Sequence, residues 1–296
     1  MSPAPVHIGV PSNIIEDYYR FSQRETIGPA QIETGAIRAF ATLEGLVDGI
    51  LASTETTHVV VCHGNPEQGL LIPFMPGSPH NATGPMAEAL ADLAKKVAQG
   101  QPPLVIDPKL VDAAAKMGVD PAAALRLIGK FALLHSPFGP SRTLHFRACN
   151  FGQNNTMLAG YKLLFHAVMV TAPTCRMFYL RIPPGRPGAG SPSIPQLAGQ
   201  QPTTPRTRRR MFGPAPDGTA GPLLVDVHDI DGHGRVETLR ALLDHPGQGP
   251  RWAELLTGRW TNHTAPNFVL PVLWRDTESS FHCPLEGGYR ERLTFA

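Results

Sequence analysis

The chain has 296 residues, 42% of them apolar and 17% charged, with a formal net charge of +2. That length buries a substantial core in one large domain or two modest ones. The near balance of charge gives no electrostatic reason to expect a nucleic-acid or membrane-surface partner. With 31 prolines and 29 glycines the chain is expected to carry long loops. Four cysteines, Cys62, Cys149, Cys175 and Cys283, are widely spaced and form no CxxC. Reduced thiols and a cytoplasmic setting are therefore expected. The first twenty residues, MSPAPVHIGVPSNIIEDYYR, lack a basic region followed by an apolar core, so no signal peptide is expected. No apolar run reaches membrane-spanning length, so no membrane span is expected.

In chain order, residues 1–31 read as an irregular N-terminal arm. Residues 32–51 place Ile37, Phe40, Leu43, Leu46 or Val47, and Ile50 on one stripe, which is helical spacing. Residues 58–62, HVVVC, read as a buried strand rich in β-branched side chains. Residues 70–84 form a proline-broken loop. The following helix has Pro85 in its first turn and Gly100 just past its end. Two further helices begin at Asp107-Pro108 and Asp120-Pro121, each a cap followed by proline at the first helical position. Residues 142–149, RTLHFRAC, are the next strand. Asn154 or Asn155 caps the helix after it, and strands follow at 167–173 and 175–182. Strand, helix, strand in this order indicates a βαβ unit and a parallel sheet.

Residues 183–222 hold ten prolines and seven glycines and read as a flexible loop that also carries TPRTRRR at 204–210. Beyond it, GPLLVDVHDIDGHGRVETLRALL reads as a strand, a turn at Asp231-Gly232 and a short strand or helix, and a helix at 251–258 and a strand at 267–274 follow, so that 223–296 completes or extends the sheet. The organisation is thus an arm at 1–31, an α/β core at 32–182 with a helical insertion at 85–135, the loop at 183–222, and the C-terminal part. The expected class is three-layer α/β, a mostly parallel central sheet with helices on both faces.

Functional residues of open parallel sheets collect beyond the carboxyl ends of the strands. His63 directly follows one strand, and Cys149 ends another. Neighbouring strands would bring both to one crevice. Cysteine is already a few per cent thiolate near neutrality, and histidine changes charge in the same range. The backbone N–H groups of Gly64 and Cys149 are candidate donors to an oxyanion. Asn150 and Gly152 would shape a tight turn into the next helix, whose N-terminus favours a thiolate. Cys62 is read as core packing, because side chains alternate along a strand.

On these residues the chain resembles the caspase-like cysteine peptidase superfamily, which includes separase, gingipain, clostripain and the bacterial CHAT proteases. The family pattern is an apolar strand ending in His-Gly, then a later apolar strand ending in a small residue and Cys. It maps onto Val59–Val61 with His63-Gly64, and onto Leu144–Phe146 with Ala148-Cys149. The resemblance spans residues 32–182. It implies His63 as general base and acid, Cys149 as nucleophile through a thioester acyl-enzyme, and Gly64 as an oxyanion amide. The implied partner is a peptide or protein substrate, with no cofactor. Two departures stand out. The segment between His and Cys is longer than in caspases, and no element for a substrate side-chain pocket is recognisable, so acidic and basic preferences both stay open.

Three other readings are carried alongside. A caspase-like fold without activity would serve as a structural or recognition module. The segment DVHDIDGHG places Asp226, His228, Asp229, Asp231 and His233 within eight residues, with His282-Cys283 later, and these ligand types suit zinc or another transition ion. In the loop, Arg206, Arg208, Arg209 and Arg210 form a candidate processing site or anionic docking patch. No G-x-S-x-G, G-x-G-x-x-G or Walker sequence is present, which removes the matching hydrolase and nucleotide readings.

Overall fold

Residues 4–9, expected within an irregular arm, form an interior strand of the main sheet. The computed structural model describes residues 3–9, 24–27, 30–136, 139–182, 207–211, 224–229, 268–275, 280–282 and 293–296. β1 (Ala4–Gly9) is buried almost along its length, with Val6 and Ile8 on one face and His7 on the other. The strand does not stand out in the sequence because it is only six residues long and contains Pro5. β2 (Arg24–Ile27) and β3 (Ala30–Phe40) form an antiparallel hairpin. The single helix expected at 32–51 is in fact this long strand followed by α1 (Leu43–Leu51). Ile37 and Phe40 continue the helix spacing by coincidence. The boundary is Thr42, whose hydroxyl accepts from the Gly45 amide as an N-cap.

β4 (Thr57–Val61) is followed by the short strands β5 (Gly64–Asn65) and β6 (Gly69–Leu70). Then come α2 (Gly84–Ala98), α3 (Pro108–Met117) and α4 (Pro121–Leu134). Asp107 and Asp120 cap α3 and α4 by accepting from the Lys109 and Ala123 amides, as the Asp-Pro pairs require. β7 (Arg142–Arg147) leads through a 3-10 turn into α5 (Asn155–Leu164), capped by Asn154. β8 (Ala167–Pro173) and β9 (Arg176–Ile182) follow. The remaining strands are β10 (Thr207–Met211), β11 (Leu224–Asp229), β12 (Phe268–Arg275), β13 (Ser280–His282) and β14 (Leu293–Phe295).

The chain divides into two compact units. The first holds a seven-stranded sheet in the order β14-β8-β7-β4-β1-β3-β2. The pairs β3–β1, β1–β4, β4–β7 and β7–β8 are parallel, and only the outer strands β14 and β2 run antiparallel to their neighbours. The direction of strand progression reverses at β1, so the gap between β1 and β4 is the switch point of a doubly wound sheet. This is a three-layer α/β architecture with a mostly parallel sheet flanked by helices. All five helices among the described residues contribute buried side chains to one core that also holds Val60, Leu144, Phe146 and Val170 of the sheet. The opposite face, with Val6, Ile8, Val59, Val61, His145 and Thr171, is equally buried. No described helix is long and apolar enough to cross a membrane.

The second unit holds a five-stranded sheet ordered β10-β11-β9-β12-β13, in which β10–β11, β11–β9 and β12–β13 pair antiparallel. Two expectations change here. Arg208, Arg209 and Arg210, expected in a flexible loop, lie in β10, which pairs with β11; Arg206 is outside the described residues. The strand TRRRM has no apolar alternation to betray it, and the surrounding prolines and glycines hide it further. Among the described residues, the C-terminal part contributes only β14 to the main sheet, while β11, β12 and β13 belong to the second one. The helix expected at 251–258 lies outside the described residues.

Candidate functional site

The carboxyl ends of β4 and β7 are adjacent, and the register fixes how their following residues meet. Val61 is opposite Arg147, and the Cys62 amide extends the ladder by donating to the Arg147 carbonyl at 3.4 Å. His63-Gly64 and Ala148-Cys149 come next on each side. They touch through their small members: a Cβ on Gly64 would stand 2.7 Å from the Ala148 Cβ. Gly64 is therefore glycine because the neighbouring strand end approaches too closely for a side chain. The Gly of one dipeptide and the Ala of the other fit as a matched pair.

This contact gives a direct expectation. Gly64→Ala should push the two strand ends apart and cost about 1–3 kcal/mol by overpacking. Ala148→Gly in the same chain should recover part of that loss, measured as a coupling energy in a denaturant double-mutant cycle. Additive effects would show that the two positions do not meet.

His63 stands at the base of a hairpin. Its carbonyl accepts from the Leu71 amide at 2.9 Å, and Gly64 and Leu70 pair across β5 and β6. The Leu70 amide leaves the hairpin to reach the Tyr161 hydroxyl at 3.3 Å, which marks a non-hydrogen-bonded pair. By the symmetry of such a pair the Gly64 amide is also directed out of the hairpin. Tyr161, fully buried on α5, donates its hydroxyl proton to the Ala82 carbonyl, and burial raises its pKa. The Asn154 side chain adds a second strut, donating to the Pro66 carbonyl at 3.0 Å. Tyr161 of α5 and the α5 cap Asn154 thus hold the hairpin that carries His63.

In the sequence Tyr161 falls at helical spacing with Leu158 and Leu164, which marks only an apolar helix face. A buried tyrosine needs a partner for its hydroxyl, and that was the available signal. Tyr161→Phe is expected to cost about 1–3 kcal/mol, because a buried amide and a buried carbonyl lose their partner. Loosening of the 63–71 hairpin should show as faster amide exchange at Leu70, and unchanged exchange there would refute the strut.

The turn after β7 has the geometry its residues demand. Asn150 has φ 57°, in the left-handed region where asparagine is tolerated. Its amide donates to the Cys175 carbonyl at 2.8 Å, and its side chain accepts from Gln153. Gln153 also donates to the Thr174 carbonyl at 2.8 Å. Gly152 lies so close to the Ala172 carbonyl that a Cβ would collide with backbone. These contacts tie the cysteine turn to the end of β8.

His63 is half-buried, whereas Cys149 is 2% exposed. Cys149 therefore does not sit in an open crevice. Cys62 is 4% exposed, belongs to the helix-side core, and has its thiol pushed up to about 12 by burial. It packs as expected from strand alternation. Cys175 is buried too. For the metal reading, Asp226, His228 and Asp229 fall in β11 and His282 in β13, while Asp231, His233 and Cys283 lie outside the described residues. Among the described residues no group of three or more His, Cys, Asp or Glu could hold a metal ion.

Three other histidines, not singled out from sequence, are buried in neighbouring strands. His7 of β1 and His58 of β4 meet ring to ring, His7 Nε2 to His58 Nδ1 at 3.1 Å. His145 of β7 bonds Thr171 of β8 through Nδ1 and Oγ1 at 2.8 Å. Burial, then the His58 and Arg38 charges, lowers His7 to about 3. Burial, then Arg142, lowers His58 to about 4, against the raising influence of the Glu55 backbone as acceptor. Burial alone lowers His145 to about 4. These rings are neutral at physiological pH and serve the sheet rather than the strand-end site. No protein-family profile, curated protein sequence or solved structure matches the chain.

Proposed function

We propose that this protein is a caspase-like cysteine peptidase that hydrolyses peptide bonds with His63 and Cys149. The observation that carries the reading is the contact of Gly64 with Ala148 at the ends of adjacent parallel strands. It puts a histidine and a cysteine each one residue from the point where the two strand ends touch, beyond the carboxyl edge of the parallel sheet. In the proposed mechanism the Cys149 sulfur attacks the carbonyl carbon of the scissile amide. The oxygen takes up charge facing the Gly64 and Cys149 amides. His63, carrying the proton removed from the thiol, delivers it to the leaving amine as the C–N bond breaks. Water, deprotonated by His63, then attacks the thioester, releasing the acid and regenerating the thiol.

A second reading has its own support. The burial of Cys149 favours a caspase-like module without activity, used for structure or recognition. Incubating wild type and Cys149→Ala with a diverse peptide mixture separates the two. Cleavage by wild type alone supports the peptidase, and no cleavage by either supports the module. Burial also means that substrate reaches Cys149 only after local opening, so activity should rise with conditions that loosen the 148–153 turn without unfolding the sheet. Self-processing at the arginine tract is no longer favoured by flexibility for Arg208–Arg210, since a paired strand must open before a peptidase can bind it.

A further inference from the structure

A cleft of about 500 Å³ opens beside the hairpin that carries His63, lined by Gln68, His80, Asn81, Thr83, Met86 and Lys116 among others. We propose that it receives an acidic side chain of the peptide on the leaving-group side of the scissile bond, an assignment that rests on the peptidase reading. Gln68 belongs to the hairpin itself, between Asn65 and Gly69. Gly69 backs onto the start of α2: a Cβ there would stand 2.8 Å from the Ala82 carbonyl and 3.3 Å from the Gly84 amide. The hairpin and the N-terminus of α2 are thus in contact beside the cleft, and both contribute to its lining.

The side of the scissile bond follows from the chemistry. His63 returns its proton to the leaving amine, so the departing segment lies against the loop that follows His63. The charge of the occupant follows from the lining. Lys116 is its charged residue, and none of the lining residues is a carboxylate. α2 has no acidic residue in its first turn, and its N-cap Thr83 makes no side-chain cap, so the partial positive charge of the helix end is not offset locally. Gln68 and Asn81 supply amide donors, and Met86 an apolar contact for a methylene stem. Lys116 pairs with Asp112 at 2.8 Å, but both side chains are about 60% exposed, at 60% and 62%. Such a pair is held weakly and yields to a ligand carboxylate.

The test uses the full chain carrying Cys149→Ala, immobilised and exposed to a pool of random decapeptides, with retained peptides sequenced by mass spectrometry. An exposed charge pair should enrich Glu and Asp over Lys and Arg at one position by about threefold. Lys116→Glu in the same background, a change at an exposed site, should reverse the preference. Absence of enrichment, or enrichment unchanged by Lys116→Glu, overturns the assignment. Digestion of the same pool by wild type reads the peptidase separately. Acidic residues following the cut support the leaving side, and acidic residues only before it overturn that side. Lys116-dependent retention without any cleavage would keep the acidic cleft and overturn the peptidase reading.

Discussion

His63→Ala is expected to lower kcat/KM for peptide hydrolysis by about 10²–10⁴-fold, the range lost with a general acid–base group. Cys149→Ala should bring hydrolysis to background, because in the proposed mechanism its sulfur is the nucleophile. The two losses should not add: once the thiol is gone, removing the imidazole has nothing left to activate. Both variants should fold. His63 is half-buried at a loop base, and Cys149→Ala removes one sulfur from a turn held by the Asn150 and Gln153 hydrogen bonds. Thermal unfolding of each variant beside its kinetics distinguishes lost chemistry from lost structure. A Cys62→Ala control should retain activity with reduced stability, since Cys62 fills the core. If Cys62→Ala abolishes hydrolysis and Cys149→Ala does not, the assignment of the nucleophile is wrong.

Acid should destabilise the protein strongly through its buried histidines. His7, His58 and His145 are held at about 3, 4 and 4 against an unfolded value of 6.5. The folded state keeps these rings neutral, so below pH 6.5 the unfolded chain binds more protons than the folded one. Stability is therefore full above pH 6.5 and is lost as pH falls from there toward the folded values. Each ring contributes on the order of 3–5 kcal/mol over that interval, at 1.36 kcal/mol per unit. Together they approach the whole net stability of a domain. Denaturant unfolding at pH 7.5 and pH 4.5 should show the loss. His7→Leu with His58→Leu should flatten the slope between them, although the mutant core repacks. An unchanged slope would mean the two rings do not control acid stability.

The features legible in the sequence were those encoded within a few residues. Asp107-Pro108 and Asp120-Pro121 marked helix starts because cap and proline act locally. Asn154 did the same for α5. β4 and β7 stood out as β-branched or apolar runs, and their order placed His63 and Cys149 at equivalent strand ends. What escaped the reading depends on partners far along the chain. β1 is too short to show a period, and its place between β3 and β4 comes from pairing alone. Ile37 and Phe40 fit a helix stripe and a strand equally well, and only the Thr42 cap decides between them. The His7–His58 pair joins residues 51 positions apart. Tyr161 reaches across 91 residues to Leu70. The arginine tract was assigned to a loop from its composition, whereas its pairing with β11 makes it a strand.

Burial matters most to the site, and composition cannot report it. The His-Gly and Ala-Cys dipeptides suggested an open crevice, yet Cys149 is covered. The most direct measurement is therefore the rate of Cys149 alkylation by iodoacetamide, followed by intact mass and peptide mapping from pH 5 to 9. If His63 and Cys149 act as a pair, Cys149 is alkylated faster than Cys62 and Cys175 near pH 7, and His63→Ala slows that reaction at least about tenfold by removing the thiolate's partner. Alkylation of Cys149 at the same rate with and without His63, or no alkylation of native Cys149 at any pH, would contradict the pairing.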